Sequence, residues 1–104
     1  MNQEELQQVA FELILHSGDA RTNVHEAFAQ MRSGEYQEAE AKLEAANDAL
    51  VRAHQTQTGL LQQYANGVDI QMEIIMVHAQ DHLMTTMTLR EVALEMLYLY
   101  RKVG

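Results

Sequence analysis

Residues 70–100, IQMEIIMVHAQDHLMTTMTLREVALEMLYLY, carry the clearest structural signal in the chain. Nineteen of these 31 residues are apolar, no Gly or Pro interrupts them, and their three- and four-residue steps predict a helix. They form two apolar stripes instead of one, and a helix that is apolar on two sides needs cover on two sides. One stripe is Ile70, Ile74, Val77, Met84, Val92 and Leu99, and the other is Ile75, Ala79, Leu83, Met87, Leu94 and Tyr98.

Two more helical stretches precede this one, over about residues 3–32 and 36–66, and the third runs over about 68–102. Breaks at Ser33-Gly34-Glu35 and Asn66-Gly67 separate them, and Gly just past a helix end suits a left-handed C-terminal cap. The core stripe of the first stretch is Leu6, Ala10, Leu13, Ser17, Ala20, Val24, Ala27 and Met31. That of the second is Tyr36, Ala39, Leu43, Ala46, Leu50, Ala53, Gln57, Leu60 and Tyr64.

These patterns predict an all-α fold in which residues 1–104 form a single domain, a three-helix antiparallel bundle. Short loops keep sequential helices adjacent and antiparallel. Two helices cannot cover both stripes of a third. The cover must come from another copy of the chain or from a helix of a different protein, and we expect the chain to self-associate through its third helix.

The composition excludes several functional classes. A formal net charge of -8 and a pI of about 4.9 argue against a nucleic-acid-binding protein, which needs a positively charged surface. The absence of Cys excludes disulfides, zinc thiolates and a cysteine nucleophile. No apolar run approaches the roughly 20 residues of a membrane span, and the polar start is unlike a secretory signal. We expect a cytoplasmic protein.

The most polar interruption of the third helix is residues 77–85, VHAQDHLMT. His78, Asp81, His82 and Thr85 fall within an arc of about 100° of a helix. Placing such groups on a buried face costs free energy unless they are paired or used. Gln80 points about 160° away from His78, so within a symmetric oligomer it would meet the His78 of a neighbouring chain.

Three interpretations of this segment are open from the residues alone. A buried polar network could fix the helix register. His-Ala-Gln-Asp-His has the form of the H-x-x-E-H zinc motif with Asp in place of Glu, but no third ligand is evident. The remaining interpretation is a nucleophilic histidine that carries a phosphoryl group.

The segment His-Ala-Gln-Asp-His-Leu-Met-Thr resembles the active-site sequence of the lactose/cellobiose family of enzyme IIA proteins. These belong to the bacterial phosphoenolpyruvate-dependent sugar phosphotransferase system. The resemblance extends over nearly the whole chain. It includes Ser17-Gly18-Asp19-Ala20-Arg21 in the first helix, Gly34-Glu35-Tyr36 at the first turn, Ala53-His54 with Gln57-Thr58, and the tail from Leu97 to Lys102.

The resemblance implies a phosphotransferase component. His78 would accept a phosphoryl group from the phosphocarrier protein HPr and pass it to a cysteine of the cognate IIB protein. The membrane IIC protein would be only an indirect partner. His82 and Gln80 are candidate donors to the phosphoryl oxygens, and Ala79 favours cellobiose or chitobiose over lactose as the transported disaccharide.

The resemblance also implies a homotrimer of three-helix subunits with Asp81 near the three-fold axis. There it would bind one magnesium ion per trimer, on a buried stripe that Asp81 shares with Val77, Met84 and Thr88. The alternative function is a non-enzymatic helical oligomer that serves as an interaction scaffold.

Cationic side chains are scarce around the predicted nucleophile. No Lys or Arg lies within eleven residues of His78, and the nearest in sequence is Arg90. Unless Arg21 or Arg52 folds towards His78, we expect the partner protein to bring the positive charge.

Overall fold

A computed structural model describes all 104 residues and confirms the all-α three-helix bundle. Helix α1 is Gln3–Arg32, α2 is Tyr36–Ala65 and α3 is Ile74–Val103, and they pack into a rod of 52 × 20 × 18 Å. No helix in the bundle combines the length and apolarity needed to cross a membrane.

Helix α1 starts at a side-chain cap and is held by a continuous apolar stripe. The Asn2 side chain accepts a hydrogen bond from the Glu5 amide at 2.8 Å, as an N-cap does, and its own amide donates to the Glu5 carboxylate. The eight residues predicted for its core stripe are the eight that are buried. The prediction for α1 is confirmed.

Both glycine breaks adopt the predicted conformation. Gly34 has φ 77° and Gly67 has φ 88°, the left-handed region in which only glycine is free of strain. Seven of the nine stripe residues predicted for α2 are buried, together with Ala49. Tyr36 is half-buried against Tyr100, and Tyr64 is exposed at the end of the helix.

Helix α3 begins at Ile74, six residues later than predicted. Residues 68–73 are not helical, and Glu73 is extended (φ -110°, ψ 145°) while its carbonyl accepts from the first α3 amides. The Met1 ammonium donates to the Asp69 carbonyl at 3.2 Å. That bond ties the connection to the residue that precedes the α1 cap. The connection runs extended, with Ile70 packed on the core.

The two apolar stripes of α3 differ in how far they are buried. The second stripe is buried or half-buried from Ile75 to Met87, but burial then continues through Ala93 and Leu97 instead of Leu94 and Tyr98. Successive steps of four residues advance 400°, so a stripe built from them drifts off its face. The first stripe is exposed within one chain, except for half-buried Ile70.

Helices α1 and α3 run parallel, and α2 runs antiparallel to both. Met1 meets Asp69 at one end of the rod, and Tyr36 lies 6.2 Å from Tyr100, centroid to centroid, at the other. Arg101 bonds Glu40 at that same end. This arrangement places the middle of α1 beside the first third of α3, where the histidines lie.

Candidate functional site

Two histidines lie one turn apart in the first third of α3, as its fifth and ninth residues, and face outwards together. The rings of His78 and His82 are parallel to within 2°, with centroids 6.2 Å apart. His78 is exposed and His82 is half-buried. His78 is therefore the one that a partner protein can reach, while His82 is held against the bundle.

A glycine of α1 faces His82. A Cβ built on Gly18 would lie 4.0 Å from Nε2 of His82, with no other atom within that distance outside the helix's own neighbouring backbone. An interior glycine costs a helix about 0.5–1 kcal/mol relative to alanine. Because Gly18 has no side chain, the surface of α1 beside the His82 imidazole is left open.

The pKa of His82 is lowered from the ordinary value of 6.5. Burial is the largest cause, followed by the positive charge of Arg21 and by His78, while Asp81 acts in the opposite direction. His82 is consequently neutral at neutral pH, with one ring nitrogen able to donate a hydrogen bond and the other able to accept one.

Asp81 and Thr85 complete the polar arc but do not bond the histidine rings. The Thr85 hydroxyl donates to the backbone carbonyl of Asp81 at 2.8 Å and to that of His82 at 3.3 Å. Asp81 is exposed, among the exposed side chains of Val77 and Met84. Neither α1 nor α2 covers that face in a single chain, so burial of the stripe by other chains stays a prediction.

Gln80 lies away from the histidine pair, as predicted. It lines a cavity of about 350 Å³ between the end of α2 and the start of α3, with Leu60, Tyr64 and Met76 among its neighbours there. Its amide therefore cannot serve His78 of the same chain without a large rearrangement.

No group of three or more His, Asp or Glu side chains within one chain is placed to hold a metal ion. A zinc site built on His78 and His82 would lack a third ligand, whereas catalytic zinc sites use three protein ligands. Asp81 offers a hard oxygen donor of the kind that magnesium prefers, but a single carboxylate of one chain does not form a cage. Any magnesium site on Asp81 therefore has to be assembled from several chains.

Sequence reasoning gave Arg21 no definite place at the site. It lies on α1, 57 positions before His78, and becomes relevant only because α1 and α3 run parallel. The available signal was its position three residues after Gly18, on the same face of the helix. By contrast, Arg52 lines a cavity between α1 and α2, away from the histidines.

Comparison with known proteins identifies the family. The family described as "PTS system, Lactose/Cellobiose specific IIA subunit" matches residues 8–101. The chain belongs to this family. It is 45% identical to the lichenan-specific phosphotransferase enzyme IIA component of Bacillus subtilis (strain 168), covering 96% of this chain and 91% of the relative. It is also 42% identical to the lactose-specific EIIA component of Staphylococcus epidermidis, covering 98% of each chain.

Solved structures of IIA proteins have the same fold. The crystal structure of PtcA from S. mutans superposes with a TM-score of 0.96 at 68% identity, covering 97% of this chain and 99% of that one. The IIA(Chitobiose) subunit of Escherichia coli, solved in complex with HPr, gives a TM-score of 0.81 at 36% identity, covering 94% and 95%. The recognition made from the motif is thereby confirmed over nearly the full chain. IIA components are phosphotransfer proteins, which favours the phosphoryl interpretation of the histidine pair over the zinc and register interpretations.

Proposed function

We propose that the protein is a phosphohistidine carrier that takes a phosphoryl group from phospho-HPr on His78 and delivers it to a cysteine of a IIB protein. The observation that carries this proposal is the exposed imidazole of His78 beside the neutral, half-buried imidazole of His82. The imidazole of His78 can attack phosphorus, and the phosphoryl group that it then carries can be attacked by the next acceptor. The imidazole of His82 can donate a hydrogen bond to a phosphoryl oxygen.

The transfer is an exchange of single bonds at phosphorus. The lone pair of an unprotonated ring nitrogen of His78 forms a bond to phosphorus while the nitrogen–phosphorus bond of the donor breaks, and the donor imidazole keeps that electron pair. In the second transfer, a cysteine thiolate attacks and His78 leaves as a neutral imidazole. Neither step needs an oxidant. Catalysis depends on positioning and on stabilising the phosphoryl oxygens.

The assembly we propose is a homotrimer joined through the exposed apolar stripe of α3. Ile74, Val77, Met84, Val92 and Leu99 are each about half exposed or more. An amphipathic helix with a second apolar face is stabilised when another chain covers that face. In such a trimer Gln80 would reach the His78 site of a neighbour, and three copies of Asp81 would face one another.

Three facing carboxylates repel one another unless a cation or shared protons neutralise them. We propose one magnesium ion per trimer at Asp81, bound through oxygen ligands. The ion would neutralise the carboxylate cluster and stabilise the assembly; we assign it no part in the transfer itself.

The transported sugar is inferred from a single residue. Ala79, the residue that suggests cellobiose or chitobiose over lactose, is fully buried. It cannot contact a sugar or a partner, so its support comes from the resemblance alone. We propose a disaccharide of the cellobiose or chitobiose kind, carried by a IIC protein that this cytoplasmic subunit meets only through IIB.

The test is to incubate the protein with phosphoenolpyruvate, enzyme I and HPr and to measure its intact mass. We expect a gain of one phosphoryl group that is lost in acid and kept in alkali, and no gain when HPr is omitted. His78→Ala is the matched variant and should gain none. An unmodified wild-type protein, fully folded and assembled, would instead support the alternative of a non-enzymatic interaction scaffold.

A further inference from the structure

A phosphoryl group on His78 would bring negative charge to a protein that is already acidic. The net charge is -8, and α3 offers no Lys or Arg within eleven residues of His78. His78 is the fifth residue of α3 and directly follows the four free amides of the helix start, which carry only partial positive charge. A cation of the same chain would have to come from another helix.

Most cationic side chains of the chain are engaged elsewhere. Two are in ion pairs, Lys42 with Glu26 and Arg101 with Glu40. Arg90 donates to the Leu43 carbonyl, Lys102 lies over the Tyr98 ring, and Arg52 lines the α1–α2 cavity. Two arginines of α1, Arg21 and Arg32, make no ion pair or hydrogen bond, and Arg32 is in the last helical turn.

Arg21 is the unpaired cation beside the histidines. It is exposed and follows Gly18 by three residues, so both lie on the α1 face that meets His82. Side chains in a helix lean towards its N-terminus, which carries the Arg21 stem back over Gly18, where no Cβ stands. Asp19, the nearest acidic residue in sequence, lines the α1–α2 cavity and does not neutralise it.

We propose that Arg21 binds the phosphoryl group carried by His78. This inference rests on the proposed function and names the residue that supplies its positive charge. The planar guanidinium donates to two phosphoryl oxygens at once, a geometry that a lysine ammonium does not reproduce. Arg21 gains its contact as the phosphoryl group arrives, takes no proton and forms no covalent bond.

An electrostatic observation agrees with this placement. The charge of Arg21 already acts on the adjacent ring, because it is among the causes that lower the pKa of His82. His78 lowers that pKa as well, and Asp81 raises it. His82 lies one helical turn from His78, so the two rings share the side of α3 that faces Gly18 and Arg21.

The experiment compares Arg21→Gln and Arg21→Lys with Arg32→Gln. Arg32 is an exposed, unpaired arginine on the same helix, roughly 16 Å further along its axis. Circular dichroism should show the same melting temperature for all three variants and the wild type, since neither arginine makes a contact within the fold. The rate of phosphoryl transfer from phospho-HPr, measured over a range of concentrations of each variant, then gives kcat and KM.

We expect Arg21→Gln to lower kcat about ten- to a hundredfold, the loss typical of a charge-assisted hydrogen bond. Arg21→Lys should recover part of it, and Arg32→Gln should match the wild type. On the isolated phosphoprotein, ³¹P NMR should show the phosphoryl pKa raised by Arg21→Gln and not by Arg32→Gln. A cation that only docks HPr would raise KM and leave the phosphoryl signal unmoved.

The failures of the two proposals are distinguishable. If wild-type protein takes no phosphate, the proposed function fails. If the wild type is phosphorylated and Arg21→Gln shows wild-type kcat and an unmoved phosphoryl signal, the role of Arg21 alone is overturned. A change confined to KM would overturn it equally, because it would assign Arg21 to docking.

Discussion

Helices α1 and α3 have the same length but use their side chains differently. Both have 30 residues; eight are buried in α1 and six in α3. Apart from Phe11 and Leu15, the exposed face of α1 is polar or small, whereas that of α3 carries a row of large apolar side chains. Folding of one chain therefore satisfies α1 and leaves α3 half covered. The helix that the bundle leaves exposed is also the one that holds the histidines.

The largest effect we expect comes from removing the predicted nucleophile of α3, since phosphoryl uptake depends on it. His78→Ala should abolish phosphoryl uptake without unfolding the protein, because His78 is exposed and makes no hydrogen bond in the fold. His82→Ala should still accept the group, more slowly. Intact mass after incubation with phospho-HPr measures both. Uptake by His78→Ala but not by His82→Ala would reverse the assignment of roles.

The apolar row of α3 can be tested by a charge placed within it. Val92→Asp should dissociate the assembly to monomers, since a carboxylate in a dry interface lacks its hydration. Ala29→Asp, at an exposed small position of α1, is the matched control and should leave the assembly intact. Analytical ultracentrifugation distinguishes these outcomes. A Val92→Asp trimer as stable as the wild type would place the interface on another face.

Gln80 tests whether α3 of one chain serves the site of another. Chains carrying Gln80→Ala are mixed with chains carrying His78→Ala under conditions that allow subunit exchange. Some mixed sites then regain both side chains, so phosphorylation should be faster than in pure Gln80→Ala trimers. Absence of rescue, in trimers shown to be mixed and with a measurable Gln80→Ala defect, would exclude a role across the interface.

A smaller effect is expected from the proposed magnesium ion. A chelator should lower the melting temperature at neutral pH by a few degrees, because an ion that binds only the trimer stabilises it by mass action. Asp81→Leu should remove that sensitivity and keep phosphorylation, since an apolar group can replace a buried charge cluster without loss. A chelator-insensitive wild type together with a monomeric Asp81→Leu protein would contradict the three-fold site.

The smallest effect concerns the pH dependence contributed by His82. Because its pKa is lowered in the folded state, the unfolded chain binds the proton more tightly. The stability that this provides is complete above pH 6.5 and is lost as pH falls through the folded pKa. NMR titration should give a His82 pKa below 6.5. His82→Gln should lessen the loss of unfolding free energy on acidification, and an unchanged slope would contradict it.

The sequence predicted much of the fold because helical periodicity is a local property. The core of α1, both glycine turns and the ends of α1 and α2 were recovered to within one residue. The start of α3 was missed because the connection before it is held by tertiary packing, with Ile70 on the core, which local periodicity does not reveal. The burial of its second half was missed because a stripe of four-residue steps drifts around the helix.

The candidate site was predicted in part. His78 and His82 share a face because they are one turn apart, and that followed from spacing alone. Arg21 was not assigned, because its place beside His82 depends on how α1 packs along α3. Two helices of known faces can still slide past each other, and the register that brings Gly18 opposite His82 is set by their packing in the bundle.

The pairing of Gly18 with His82 also has a consequence for the order of folding. The two residues are 64 positions apart, whereas α1 and α2 are joined by three residues and bury eight side chains each. Closing the three-residue connection between α1 and α2 costs less entropy than closing the 64-residue loop between Gly18 and His82. We therefore expect the α1–α2 hairpin to form early and α3 to dock last. Amide hydrogen exchange should then show α3 opening before the hairpin. In that opened state the imidazoles are separated from Gly18 and Arg21, so we expect the arrangement proposed for phosphoryl transfer to be completed only in the final step of folding.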